Sequence, residues 1–261
     1  MNPMKLVAIL RIKDQILTID DVMTKLSEIA DDIIIVDGYS TDGTFERYKQ
    51  YPKIKKVIQL AGFHEGRDKI LLLEEARKLD PDWILWLDAD EVFEKHFTRE
   101  VVEKYMHSPY NRIDFRMCNF WLSKELFRYD YIYYLYTLHP QRSMWRNVPQ
   151  ARFKDQKMHN GGILDVPKPY YISPYRLKHF GYLYEKKIAD RLERCLTEDP
   201  DSTRDYKGTL DVKRKARYLR FREYDSATLN MVYIQFYKYL CNSLWIVERL
   251  RLKLKKLLHI Q

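Results

Sequence analysis

The run Asp32-Ile33-Ile34-Ile35-Val36-Asp37 restricts the possible folds more than any other part of the chain. Four consecutive β-branched residues favour extended backbone, and the lack of polar alternation means that a strand here is covered on both faces. Strands of that kind belong to parallel sheets held between helices. The flanking sequence repeats the pattern. Residues 5–10 form a short apolar run, and Ile19, Val22, Met23, Leu26, Ile29 and Ala30 follow at helical spacing behind a cap at Thr18. Turn formers fill 38–43, and the pattern then predicts a short helix over 44–51, a strand over 56–60, a helix over 68–79 and a strand over 83–87. Helices of this length between strands require right-handed crossovers. The expected fold class is therefore α/β, with a mostly parallel sheet flanked by helices.

In such sheets ligands bind beyond the carboxyl ends of the strands, where the connecting loops converge. Arg11, Asp37 and Asp88 each fall at one of these ends. The fourth strand, Trp83-Ile84-Leu85-Trp86-Leu87, runs directly into Asp88-Ala89-Asp90-Glu91. Carboxylates two residues apart on extended backbone share one side, and a hard divalent cation such as Mn2+ or Mg2+ takes oxygen ligands. One cation and a pair of carboxylates on one rim suit a nucleotide diphosphate with its metal. Each part also has an ordinary reading, since an Asp-x-Asp triplet is often a solvated turn and an aspartate such as Asp37 often caps its own loop.

Composition bounds the partners without selecting one. The 261 residues are enough for one large domain or a domain with an appendage, and the formal charge of +9 favours phosphates, lipid headgroups or nucleic acid. Cys118, Cys195 and Cys241 are scattered without metal-binding spacing and read as reduced core thiols. No long apolar stretch precedes the first strand. The expectation is thus a cytoplasmic chain without a signal peptide.

Residues 32–44 followed by 83–91 resemble glycosyltransferase family 2, whose fold is the GT-A nucleotide-sugar fold. The resemblance covers about the first half of the chain and fades after Phe97. It implies a donor-binding half over 1–110 and an acceptor-side half over 111–205, with a basic helical extension over 206–261. By the same resemblance Asp37, with Tyr39 beside it, contacts the nucleotide base, and Leu10-Arg11 belongs to the segment that wraps the nucleoside. Asp14 takes the ribose position where the family often has Asn-Glu and this chain has Lys13-Asp14, and Gly66-Arg67 reaches the nucleoside or diphosphate. Asp88, Ala89 and Asp90 match the metal-diphosphate motif, and residues 177–182 resemble the element that supplies a further metal ligand, here His179. His159 lines the same cleft, with Asn160 where related sequences often carry an acid.

The implied activity is metal-dependent, inverting transfer of a sugar from a nucleotide diphosphate to a hydroxyl of a glycan or lipid-linked saccharide. Asp90, Glu91, Asp130, Asp155 and His159 are the acid–base candidates. Three other readings start from the same residues. The transferase could glycosylate a modified base in DNA. A haloacid-dehalogenase-type phosphatase would use Asp88 as nucleophile, but that family needs a downstream acidic pair, and no Asp-Asp or Gly-Asp-x-x-x-Asp follows Asp90. A basic, aromatic-rich module without catalysis could bind nucleic acid.

The middle of the chain is dense in rings: Phe115, Phe120, Trp121, Phe127, Tyr129, Tyr131, Tyr133, Tyr134, Tyr136 and Trp145. They either stack on sugar faces or fill a core. Arg142, Arg146 and Arg152 among them either meet phosphate or are solvated. An amphipathic helix is expected over 231–258, where Gln235, Lys238, Asn242 and Ser243 make a poor bilayer span. Its basic end, 248–258, suits packing on the rest of the protein or on a second subunit, an anionic membrane surface, or nucleic acid.

Overall fold

Alternation along β1 (Leu6–Ile12) sets the layering. Leu6, Ala8, Leu10 and Ile12 enter one hydrophobic cluster, whereas Val7 and Ile9 enter a second on the opposite face. β2 (Asp32–Asp37) divides the same way, with Ile33 and Ile35 on one side and Ile34 and Val36 on the other. In chain order, α1 (Ile19–Ile29) covers the first cluster with Val22, Met23 and Leu26. After the short α2 (Thr44–Arg47) and β3 (Ile54–Gln59), α3 (Glu65–Arg77) covers the second with Leu72, Leu73 and Ala76. Helices on both faces explain why these strands read as continuous apolar runs. Each Leu or Ile so buried contributes about 1.5–3 kcal/mol relative to exposure. β3 lies at the sheet edge, and there Lys55 and Lys56 are exposed.

The computed structural model describes residues 3–128, 140–159, 161–200, 206–210, 218–221 and 223. Among these residues ten strands form one sheet. Its N-terminal part runs β3-β2-β1-β4, with β4 spanning Trp83–Asp88, and every pair in it is parallel. The antiparallel pairs lie in the second half. β5 (Glu91–Phe93) follows β4, and α4 (Arg99–Met106) leads into the long β6 (Arg112–Trp121) and β7 (Leu126–Arg128). β8 (Gln141–Arg146) is antiparallel to both β4 and β6. β9 (Tyr170–Tyr182) runs parallel to β6 and antiparallel to β5. α5 (Glu185–Glu198), α6 (Tyr206–Thr209) and β10 (Tyr218–Arg220), paired with β7, complete the described elements.

Fold class and the N-terminal element order are as expected, with local differences that have physical causes. α3 begins at Glu65 rather than residue 68, because His64 Nδ1 accepts the Arg67 N–H at 3.1 Å and caps the added turn. Thr18 makes no side-chain cap, and its hydroxyl instead donates to the Ala89 carbonyl at 3.1 Å, tying α1 to the turn after β4. Phe115, Phe120, Trp121, Phe127 and Trp145 are buried, so the rings described are core rather than a sugar-stacking wall. Tyr129, Tyr131, Tyr133, Tyr134 and Tyr136 lie outside the described residues, as do Asp130, Asn160, Cys241, the side chain of Arg142 and the helix expected over 231–258. Arg146 is occupied by the Met106 and Ser108 carbonyls, and Arg152 by Asp165. Cys118 and Cys195 are buried. Among the described residues no helix is long and apolar enough to cross a membrane.

Two registers build the site. Arg11 is paired with Asp88 across β1 and β4, while Ile12 is paired with Asp37 across β1 and β2. Three strand ends are thereby brought to one rim. In the second half His179 of β9 is paired with Glu91 on one side and Asn119 on the other. The turn from β4 to β5 connects the two sets.

Candidate active site

A cavity of about 260 Å³ opens beyond the ends of β1 and β4, and Arg11, Asp88, Asp90, His159, Arg191 and Arg194 are among its lining residues. It adjoins a cleft of about 530 Å³ that includes Asp14, Gly38, Gly62 and Lys187. Asp88 is exposed at the rim, and Asp90 sits deeper, in the turn. Both face the cavity, but a turn brings them there rather than the extended alternation inferred from sequence. His179 is buried, with Nε2 3.4 Å from Asp90 Oδ1 and Nδ1 2.6 Å from Asn119 Oδ1. Because an amide oxygen only accepts, Nδ1 carries the proton, and Nε2 turns its lone pair or a second proton toward Asp90.

Burial favours the neutral form of Asp90, but His179, Arg191 and Arg194 outweigh it and hold the carboxyl well below the usual range. Glu91 behaves in the opposite way. It is buried beside Asp88 and Asp90, and desolvation with the two neighbouring charges pushes its carboxyl well up. One oxygen of Glu91 accepts the Asp88 N–H at 3.1 Å, so this residue shapes the turn.

Gly181 explains how the groups approach so closely. A Cβ there would lie 2.6 Å from Asp90 Oδ2, 2.8 Å from His179 Nε2 and 3.0 Å from Arg191 Nη1. Among the described residues no three carboxylate, imidazole or thiol groups form a ready metal cage. The donor set is nevertheless suited to a divalent ion, because Asp90 and His179 meet over Gly181 and Asp88 faces the same cavity. An imidazole whose other nitrogen is fixed by an amide oxygen has the arrangement common to metal-bound histidines.

Several residues expected to contact a donor have other occupations. The Leu10 side chain is fully buried in the core, so only its backbone faces the rim. Asp37 is fully buried and accepts from the Ser40 N–H and hydroxyl, both at 2.8 Å, and from the Tyr48 hydroxyl at 2.7 Å. It anchors its own loop, and its carboxylate does not open to either cavity. Tyr39 projects outward at a positive φ of 60°. Asp14 borders the larger cleft while its carboxylate accepts the Thr41 N–H at 2.8 Å. Arg67 pairs with Asp68 and the carbonyls of Ala61 and Gly62. Gly66 has a packing role: an added Cβ would lie 2.3 Å from the Gln156 backbone nitrogen. Ala89 lines the cavity with its carbonyl held by Thr18.

Of the acid–base candidates, His159 lines the cavity, its Nε2 lying 2.9 Å from Asp199 Oδ2 and 2.6 Å from the Tyr206 hydroxyl. Asp155 is exposed, 3.7 Å from His64 Nε2, and is not brought to the cavity.

Sequence reasoning missed five residues. Asp68 is buried and receives Arg11 Nε at 2.5 Å, fixing that guanidinium at the rim. Asn119 and Gly181 carry no local signature, since their roles depend on strand register. Arg191 and Arg194 left a legible signal: with Lys187 they stand at i, i+4 and i+7, one face of a helix.

Uncharacterized proteins of Mycobacterium bovis (Mb3815c) and Mycobacterium tuberculosis (Rv3786c) are each 26% identical over 211 residues, covering 76% of this chain and 51% of the relative. The chain thus spans about half the length of the curated relatives it matches. Among solved structures, S. aureus TarS is 15% identical with a TM-score of 0.46, over 75% of this chain and 40% of that one. TarS 1-349 in complex with UDP-GlcNAc is 16% identical with a TM-score of 0.43, over 75% of this chain and 68% of that one. The family model described as glycosyl transferase family 2 matches residues 11–160, more than half of the sequence, and the chain belongs to that family.

Proposed function

We propose that this chain transfers a glycosyl group from a nucleotide diphosphate sugar to an acceptor hydroxyl. One observation carries the reading: Arg11, Asp88 and Asp90 converge on a single cavity at the carboxyl ends of β1 and β4, where open α/β sheets bind ligands, in a member of glycosyl transferase family 2. In the reaction the acceptor oxygen bonds to the anomeric carbon as the bond from that carbon to the diphosphate oxygen breaks. The diphosphate leaves with the electron pair, and the acceptor proton passes to a base.

His159 is the base that the geometry favours. It lines the cavity, and Asp199 and the Tyr206 hydroxyl at Nε2 orient the ring. Attack on the side opposite the leaving group inverts the anomeric centre. Asp88, Asp90 and His179 would hold Mn2+ or Mg2+, which when bound supplies positive charge against the departing diphosphate. With His179 neutral as a ligand, Arg191 and Arg194 still favour the ionised Asp90 carboxylate. The acceptor class we assign is a saccharide, free or lipid-linked, and the basic segment 248–258 supports work at an anionic membrane surface.

Thermal unfolding with manganese and a panel of UDP, GDP and dTDP sugars tests the reading. Ligand at about one hundred times Kd stabilises the native state by about 2.7 kcal/mol. The correct donor raises Tm in the native protein and much less in the Asp88→Ala, Asp90→Ala double variant. Equal shifts in both proteins, or none with any donor, would remove the donor site from this rim. Product analysis with oligosaccharide, lipid-linked saccharide and DNA acceptors then fixes the acceptor class.

A further inference from the structure

We propose that Arg116 of β6 is the centre of an oxyanion-binding site, for a phosphate or carboxylate group, on the face of the second half that points away from the strand-end cavities. The inference stands on its own geometry and does not depend on the nucleotide-sugar reading.

Around β6 the chain buries its arginines in one manner. Arg112 donates from Nε and Nη2 to the two oxygens of Asp114, at 2.7 and 3.0 Å. Arg176 of β9 donates from the same two atoms to the oxygens of Glu94, both at 2.8 Å. Each of these forks has a whole carboxylate to itself. Arg116 lies between the two pairs, two positions beyond Asp114 and opposite Arg176 in the β6–β9 register. It is 8% exposed, as deeply set as Arg112, and its Nε is sealed from solvent with no hydrogen-bond partner. Among the described residues no carboxylate pairs with it, and burial, unopposed by any neighbouring charge, lowers its pKa.

The register also says which way the site opens. Residues 116–119 pair in step with 176–179, so their side chains alternate without interruption. Asn119 faces His179, which in turn faces Asp90. Arg116, three positions earlier, therefore points to the other face, on the side of Arg176, and it lines neither the cavity of about 260 Å³ nor the cleft of about 530 Å³.

An arginine is rarely kept out of water without a counter-charge, because desolvating a guanidinium costs more than packing its methylenes returns. Its charge is not shed either, since a guanidinium stays protonated in proteins. Neutralisation then has to come from an anion, and Asp114 and Glu94 already have both oxygens in use. With Nε sealed, the two Nη groups form an end-on fork that matches the paired oxygens of a phosphate or a carboxylate.

The test is thermal unfolding of the full chain in chloride, phosphate and acetate at equal ionic strength and pH. Phosphate is expected to raise the Tm of the native protein by about 2–4 °C more than that of Arg116→Met, which keeps most of the buried stem and removes the charge. General salting effects raise both proteins alike and cancel in the difference. A response to phosphate, acetate or both that depends on Arg116 supports the site and names its ligand class. The Arg116 Nε–H resonance, identified by its loss from the Met variant, should move in step with the same titration. Equal Tm responses in the native protein and Arg116→Met overturn the site, as does an Nε–H resonance that stays in place at saturation. Arg11→Gln separates the strand-end rim: a response lost there and kept in Arg116→Met also overturns the proposal. Arg116→Gln is judged by the same criteria if the Met variant does not fold.

Discussion

Asn119 Oδ1 lies 2.6 Å from His179 Nδ1, with both side chains buried on neighbouring strands at paired positions. The amide fixes the imidazole so that its other nitrogen faces Asp90. Asn119→Leu removes the acceptor and leaves a buried N–H unsatisfied, at a cost of about 1–3 kcal/mol. On the metal assignment proposed above, Mn2+ affinity falls about 10–100-fold, as is common when such an orienting partner is lost. Asn119→Asp restores an acceptor and recovers much of the loss. Electron paramagnetic resonance titration of Mn2+ measures it, and equal affinities in the native protein and the Leu variant would show that Asn119 does not orient a ligand.

Gly181→Ala tests the crowding of the site from its floor. The added methyl would meet Asp90, His179 and Arg191, of which the carboxylate and guanidinium ends can move while the buried ring is held by Asn119. Overpacking of this kind costs about 1–3 kcal/mol in stability. Displacing two functional groups by about an ångström lowers turnover much more, by about a hundredfold. Urea unfolding and a glycosyl-transfer assay read the two effects separately. Native turnover in a folded variant would place the chemistry away from Gly181.

The parallel N-terminal part of the sheet was legible because its information is local. Asp32–Asp37 and Trp83–Asp88 announce buried parallel strands by composition alone, and the carboxylates that follow β4 must emerge at the strand ends. Asp37 shows the limit of that reasoning. Its position was legible, but its occupation by Ser40 and Tyr48 depends on how the following loop folds back. His179 could be named only by resemblance, since its approach to Asp90 depends on the β5–β9 pairing, which joins residues almost ninety positions apart. The arginines of α5 were visible as a basic helix face, a pattern that usually means solvent.

The Glu94–Arg176 pair predicts how the second half responds to disruption. Both residues are almost fully buried, and Arg176 donates from Nε and Nη2 to the two Glu94 oxygens at 2.8 Å. Arg176→Met leaves a carboxylate without its counter-charge and is expected to cost about 3–5 kcal/mol. Adding Glu94→Gln removes that charge and recovers part of the loss. A denaturation double-mutant cycle measures the coupling, and strictly additive costs would show that the two groups do not act as a pair.

Asp42 links the loop that borders the larger cleft to the start of α2, and this makes the loop acid-sensitive. Its carboxylate accepts the Ile16 N–H at 3.0 Å, and also the Thr44 N–H at 3.0 Å. Burial raises its pKa, but the hydrogen bonds from Thr44 and Ile16 outweigh that effect and bring the group below its ordinary value of 3.8. A folded pKa below the unfolded one gives a contribution that is complete above 3.8 and is lost as pH falls through the lower folded value. Asp42→Asn should therefore lower Tm at about pH 6, and the difference from the native protein should narrow as pH falls below 3.8. A Tm difference that stays constant over that range would show that the charge of Asp42 contributes nothing to holding the loop.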